Sequence, residues 1–481
     1  YDGAAGTVDV GPCKSGMHTC QDDGTWGECQ GQVVPSDEVC SSTGDEDCNF
    51  GAGCSEAVWA QVFGDVSAQT IASTAFDQAG NIYVVGKTSG TLAFGNEMLI
   101  SSGNDAFVAK LAPDGVPIWA RSYGDANDQS PQAVAVDSEG NVIVAGDFSG
   151  SMDVGGTVLT TDPADVSIFV IKLDPQGTKL WARQFGDTSS AQGVRGVALG
   201  PADDVVLAGS FAGKLDFDGK SVTATGGKDV FLATLSAAGT GKWANAFGDA
   251  ADQLGQRMAV DKLGNIFVAG GFFGEMTMKQ GLTLTAAGAD VFLARFDSAG
   301  TCSWAKKFDC VGSAAVHGLD VDGSGDVVVS IETNAGIDVG NGTITPEGYD
   351  AIVAKYSSGG SYLWQAVIGS PGDEYAPKLA VDAQKRTVLA FYTDTTVINP
   401  GGGDLPSGGG YDIVVVGLEP DSSYRWAKRY GLIGDQSSPV VSVGPKGEVL
   451  IAGNVSGEID FGLGVLMPKA NDIAVALLGP N

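Results

Sequence analysis

Seven tryptophans recur along this chain at nearly constant spacing: Trp59, Trp119, Trp181, Trp243, Trp304, Trp364 and Trp426 lie 60, 62, 62, 61, 60 and 62 residues apart. Each opens a similar string, namely WAQVFGD, WARSYGD, WARQFGD, WANAFGD, WAKKFDC, WQAVIGS and WAKRYGL. By length alone, 481 residues would divide into about three domains of roughly 150. A repeat this regular instead assigns most of the chain to one array of equal units.

Two further strings recur between the tryptophans. The first runs FDQAGNIYVVG, VDSEGNVIVAG, LGPADDVVLAG, VDKLGNIFVAG, VDGSGDVVVSI, VDAQKRTVLAF and VGPKGEVLIAG. The second opens with Asp: DAFVAKL, DVSIFVIKL, DVFLATL, DVFLARF, DAIVAKY, DIVVVGL and DIAVALL. Stretches such as NVIVAG and VFLATL are short, β-branched and bounded by Gly, Asp or Pro, as strands are. Turns such as DSEGN place Gly where a tight hairpin needs positive φ, and glycine supplies 72 of the 481 residues. Each unit therefore reads strand, turn, strand, long loop, strand, turn, strand, and no segment has a useful helical period. Four antiparallel strands repeated seven times, with no unit able to bury both faces alone, predict an all-β, seven-bladed β-propeller over residues 57–481.

The predicted ring closes through its first strand. The last unit ends after DIAVALL with no Trp strand behind it, while Val58–Phe63 precedes the first complete unit. The N-terminal Trp strand is thus expected as the outermost strand of blade seven, which leaves no open edge.

The GNxxVxG, DxFVAKL and W strings resemble the bacterial SBBP-type β-propeller repeat, and more distantly the NHL repeat, over about residues 57–478. The run GPCKSGMHTCQDDGTWGECQGQVVPSDEVCSSTGDEDCN resembles a cysteine-rich module that precedes such repeats in secreted bacterial proteins. These resemblances imply an extracellular or cell-surface protein.

Cysteine usage agrees with that compartment. Cys13, Cys20, Cys29, Cys40, Cys48 and Cys54 crowd into residues 1–56, whereas the rest of the chain holds only Cys302 and Cys310. A dense, even-numbered cluster without a CxxC pair reads as a disulfide framework rather than a zinc site. Such a module is expected as an appendage on the rim near blades seven and one. Cys302 and Cys310 flank Trp304 on one strand, too far apart along extended chain to bridge each other. The chain starts at Tyr1, which suggests a removed leader or trimming.

Charge and motifs narrow function mainly by exclusion. With 58 acids against 27 bases the formal charge is −31, which disfavours nucleic acid and anionic membrane as partners. No apolar run reaches the length of a membrane span. Only His18 and His317 are present, and no GxSxG, Walker or HExxH string occurs.

Three sets of residues are candidates for chemistry. Acids in the blade-joining loops include Asp65, Asp125 with Asp128, Asp187, Asp249 with Asp252, Asp373 and Asp435. They read either as calcium ligands or as turn caps. Asp45, Asp47 and Asn49 begin a calcium-like loop that Glu56 would complete, although Phe50 stands where such a loop wants Gly. On the inner strands, Ala72, Gln132, Arg195, Gln256, His317, Pro377 and Pro439 occupy one repeat position, with Arg257 and Lys378 next to it. Arg195, Arg257, His317 and Lys378 are expected near the channel mouth, either drawing in an anionic group or pairing with blade-joining Asp residues. The Asp opening each third strand (Asp105, Asp165, Asp229, Asp290, Asp350, Asp412 and Asp472) is expected to cap the preceding loop.

The leading expectation is a secreted or surface-displayed binding or structural propeller. Its partner would be a protein or glycan at the cell surface, or further copies of the chain assembling into filaments. The alternative is a calcium-dependent carbohydrate-active enzyme using loop carboxylates.

Overall fold

The computed structural model describes residues 56–186, 192–278 and 281–480. The cysteine-rich segment, with Asp45, Asp47 and Asn49, lies outside the described residues, as does Asp187. Seven four-stranded antiparallel sheets form the blades. Their inner strands touch in succession around a closed ring. Blade 1 runs from Gln69 to Tyr123, and blade 7 combines three strands between Gln436 and Pro480 with Ala57–Phe63.

The closure is the one expected. Ala57–Phe63 pairs antiparallel with Asp472–Pro480, setting Trp59 opposite Leu477 and Phe63 opposite Ile473. Glu56 pairs with Lys428 of blade 6 at 3.0 Å, linking the start of the closing strand to the neighbouring blade.

The second and third strands of each blade are buried on both faces, because each blade is sandwiched between two neighbours. This explains continuous apolar runs such as Val142–Phe148 in place of alternation. The tryptophans connect blades at the rim. Their indole N–H groups also donate to a carbonyl in the next blade's last turn: Trp59 to Pro113 at 2.8 Å, Trp119 to Pro175 at 3.0 Å and Trp364 to Pro420 at 2.8 Å. Gly115 sits beneath the Trp59 ring at φ 82°, where a Cβ would come within 2.8 Å of the indole.

Two sequence expectations change. The long loop between second and third strands holds a small hairpin in every blade, such as Thr91–Phe94 with Glu97–Ile100. In blade 2 the strand-opening position belongs to Ser167, which pairs with Phe148 as Asp105 pairs with Thr88. Asp165 lies upstream in the loop, displaced by a two-residue insertion. Asp229, Asp412 and Asp472 do cap the preceding loop, whereas Asp290 accepts the Cys310 N–H from the loop that follows its blade. Asp229 accepts the Thr225 N–H at 3.1 Å and Asp472 accepts that of Lys469 at 2.7 Å.

Candidate functional site

Every inner strand is interrupted by a β-bulge, and the bulges fall on the repeat position picked out in the sequence. Ala72, Gln132, Arg195, Gln256 and His317 are each the extra residue between two paired neighbours. In blades 6 and 7 the bulge takes two residues, Ala376–Pro377 and Ser438–Pro439. Proline lacks an N–H for the ladder, so a bulge is where an inner strand accommodates it. A bulge re-aims its side chain out of the pleat, here towards the axis of the ring.

The bulges surround a cavity of about 580 Å³ in the central channel. Arg195, Arg257, His317 and Lys378, from blades 3 to 6, all line it, and Lys87 joins them from blade 1. Among the described residues no Asp or Glu lines this cavity. The sign is opposite to that of the whole chain.

The expected pairing with blade-joining aspartates does not occur. Arg195 instead binds Asp147 at 2.7 Å, a residue near the end of the second strand of blade 2. Asp147 also accepts the Val194 N–H at 2.9 Å and so ties blade 2 to blade 3. Glu332 plays the same part between blades 5 and 6, accepting the Ala376 N–H at 2.6 Å, and stands 3.4 Å from His317 Nε2. Arg257 donates only to carbonyls, those of His317 at 2.7 Å and Gln256 at 2.5 Å. Neither Arg257 nor Lys378 has a carboxylate within ion-pair distance among the described residues.

Burial, reinforced by the neighbouring cations, sets the proton affinities. Burial and then the charges of Lys378 and Arg257 lower His317 to about 3, so its imidazole is neutral. Burial and Arg195 bring Arg257 down to about 10. The Lys378 ammonium is held well below its ordinary value by burial and then by Arg257, with Glu332 opposing only in part.

The blade-joining acids act as turn caps. Asp125 Oδ1 accepts the Asn127 N–H at 2.8 Å and the Gln129 amide at 3.0 Å, while Oδ2 accepts the Ser151 N–H at 2.8 Å. Asp249 repeats the pattern with Ala251, Gln253 and Glu275, each at 2.8 Å. Asp128 takes the Asn104 amide at 2.5 Å and Asp252 the Lys228 N–H at 2.8 Å. These loops close on a GDxxxQ pattern that sequence reading passed over, in which the buried Gln answers the Asp. Among the described residues no three His, Cys, Asp or Glu side chains gather in metal-binding geometry. Cys302 and Cys310 are free thiols, each pushed by burial up to about 11.

The rim carries a second feature. In the small hairpins, Met98 and Ile100 of blade 1 are 61% and 74% exposed, and Val158, Val465 and Met467 of blades 2 and 7 are exposed as well. Blades 3 and 4 place Ser221, Thr223, Thr283 and Thr285 at these exposed sites. The residue before each tryptophan follows suit: exposed Val58, Ile118 and Leu180 in blades 7, 1 and 2, but Lys242, Ser303 and Arg425 in blades 3, 4 and 6. Blade 5 departs from this with exposed Leu363 and Val367, and blade 6 exposes Val397 in its hairpin.

Comparison with known proteins identifies a β-propeller repeat protein. The SBBP β-propeller repeat family matches residues 58–92. An uncharacterised WD repeat-containing protein of Acanthamoeba polyphaga mimivirus is 30% identical over 153 residues, which make up 31% of this chain but only 11% of that relative. Among solved structures, a protein of unknown function from Dyadobacter fermentans is similar at 14% identity and a TM-score of 0.39, over 89% of this chain and 99% of that one. The WD40 domain of Neurospora crassa Pan2 is similar at 9% identity and a TM-score of 0.44, over 89% and 98%. Among the described residues no helix is long and apolar enough to cross a membrane.

Proposed function

We propose that this chain is a secreted or cell-surface binding propeller that engages a protein through the apolar rim of blades 7, 1 and 2. The observation that carries the reading is the internal comparison among repeats. One backbone position holds an exposed Val, Ile or Leu in those three consecutive blades and Lys, Ser or Arg in three of the other four. Each of these side chains leaves about half of its surface exposed, and exposed apolar surface on successive blades is characteristic of an interaction surface. A net charge of −31 favours a protein over a nucleic acid or an anionic lipid surface as the occupant. The crowding of six cysteines before residue 56 supports an oxidising compartment.

The test compares the full chain with an Ile100→Ser/Ile118→Ser/Leu180→Ser variant. Both are immobilised, exposed to the cell-surface fraction of the producing cells, and followed separately by light scattering. A bound protein that the variant loses supports the reading, and self-association that the variant loses identifies a second copy as the partner. Equal capture by both chains, or no capture with a monodisperse monomer, overturns it.

A further inference from the structure

The cavity on the ring axis contains an electrostatic imbalance that the fold does not explain. The carboxylates nearest to it are already engaged in holding blades together. Asp147 binds Arg195 and the Val194 N–H, and Glu332 accepts the Ala376 N–H. Arg257 and Lys378 are left facing one another's charge on the wall of the channel, both partly withdrawn from water. Isolated buried cations are costly, and a fold that needed only to fill this channel would place apolar or neutral side chains there. Other blades do so: Ser73, Ala133 and Val440 stand at the position equivalent to Arg257 and Lys378, the first paired residue after the bulge.

We propose that the channel is a binding site for a small organic anion whose carboxylate or phosphate group is held by Arg257 and Lys378, with Arg195 beside them. The guanidinium of Arg257 is steadied by the His317 and Gln256 carbonyls, which use Nε and one terminal nitrogen and leave the other terminal nitrogen for a ligand. An organic anion fits better than a bare inorganic one, because the cavity is of small-molecule size at about 580 Å³. Its wall also offers Met258, Leu379 and Val134 for apolar contact, and Ser130 and Gln132 for orientation. A bound anion offsets the burial and the Arg257 charge that hold the Lys378 ammonium below its ordinary value.

The experiment is calorimetric titration of the full chain with inorganic phosphate, citrate and glucuronate, with glucose as the neutral control. Each titration is run near pH 7. The expected result is one-to-one binding of at least one anion with a Kd of about 1 mM or tighter and no glucose binding. Lys378→Met and Arg257→Gln each weaken that binding about tenfold or more. Which probe binds separates a phosphate from a carboxylate ligand. Failure of all three anions to saturate the wild-type chain overturns the proposal. So does binding unchanged in both variants. The wild-type titrations decide the matter even if a variant fails to fold.

Discussion

Lys172 Nζ lies 2.7 Å from Asp137 Oδ2, and both side chains are almost wholly buried within blade 2. Burial works against the Asp137 charge, but Lys172 and the Asn141 amide outweigh it and hold the carboxyl below its ordinary value. The same pair recurs as Lys355 with Asp322 at 2.8 Å and Lys110 with Asp77 at 3.4 Å. Blades 3 and 7 lack both partners together. Gly200 and Gly444 replace the Asp, and Thr234 and Leu477 replace the Lys opposite the tryptophan. In blade 6 the Asp is retained as Asp382 although Gly417 faces Trp426, and Arg386 binds it at 2.6 Å.

That covariation leads to the first prediction. Lys172→Met leaves a buried carboxylate unpaired and is expected to cost about 3–5 kcal/mol. The Asp137→Gly/Lys172→Thr chain, which copies blade 3, is expected to lie nearer the wild type than Lys172→Met does. Urea denaturation of the three chains measures this. A double variant as unstable as the single one contradicts it.

Backbone strain in two turns supplies the second prediction. Ser422 and Lys385 adopt φ of 72° and 68°, where equivalent turns carry Gly360 at 84° and Gly325 at 81°. A side chain in this left-handed region costs on the order of 1 kcal/mol. Ser422→Gly and Lys385→Gly should therefore each raise stability by up to about 1 kcal/mol, less some entropy of the freer unfolded chain. The sites lie in different turns, so their gains should add. Lowered thermal midpoints would show that the strain is already relieved by contacts of these side chains.

The ring itself was legible because its signals are local and repeated. A Trp every 60 to 62 residues and a Gly in each turn mark the strands without any tertiary knowledge. The bulge position was also legible, since Arg195, Gln256 and His317 align by simple counting from the turn. Their partners were not. Asp147 lies 48 residues from Arg195 in another blade, and only the inter-blade register brings the two together. The small hairpins escaped notice because three or four residues such as Glu275–Thr277 carry too little periodicity. Blade 2 misled because its insertion moved an Asp away from a position that Ser167 fills equally well.

The third prediction concerns pH. Most blades begin with a buried Gln, as at Gln69, Gln129 and Gln253, but blade 6 begins with Glu374, fully buried next to Asp350. Burial pushes Glu374 up to about 8, with Asp350 adding repulsion, against 4.5 for the free side chain. The folded state thus holds this proton more tightly than the unfolded state. Its stabilisation is complete below about pH 4.5 and is lost as pH rises through about 8. Glu374→Gln keeps the shape and the acceptor for the Ser370 N–H, bonded at 3.0 Å in the wild type. The variant is expected to melt like the wild type near pH 5 and at clearly higher temperature near pH 9. Parallel melting curves across that range would show that Glu374 does not carry the shift.

The last prediction separates the closing strand from the segment that leads into it. Ala57–Phe63 contributes a full set of ladder bonds to Asp472–Pro480 and buries Trp59 and Phe63 in the core between blades 7 and 1. Burying two large aromatic side chains is worth about 2–3 kcal/mol each, before any backbone term. Removing residues 1–64 should therefore cost on the order of 5 kcal/mol and leave the Asp472–Pro480 edge unpaired, a template for association between chains. Removing only residues 1–55 retains the strand and its pairing, so the propeller should melt close to the full-length protein and stay monomeric. Differential scanning calorimetry with light scattering distinguishes the two truncations. If removing 1–64 leaves the melting temperature unchanged, the ring does not depend on this strand. If removing 1–55 is as damaging as removing 1–64, the stabilisation resides in the leading segment rather than in the pairing of Trp59 with Leu477.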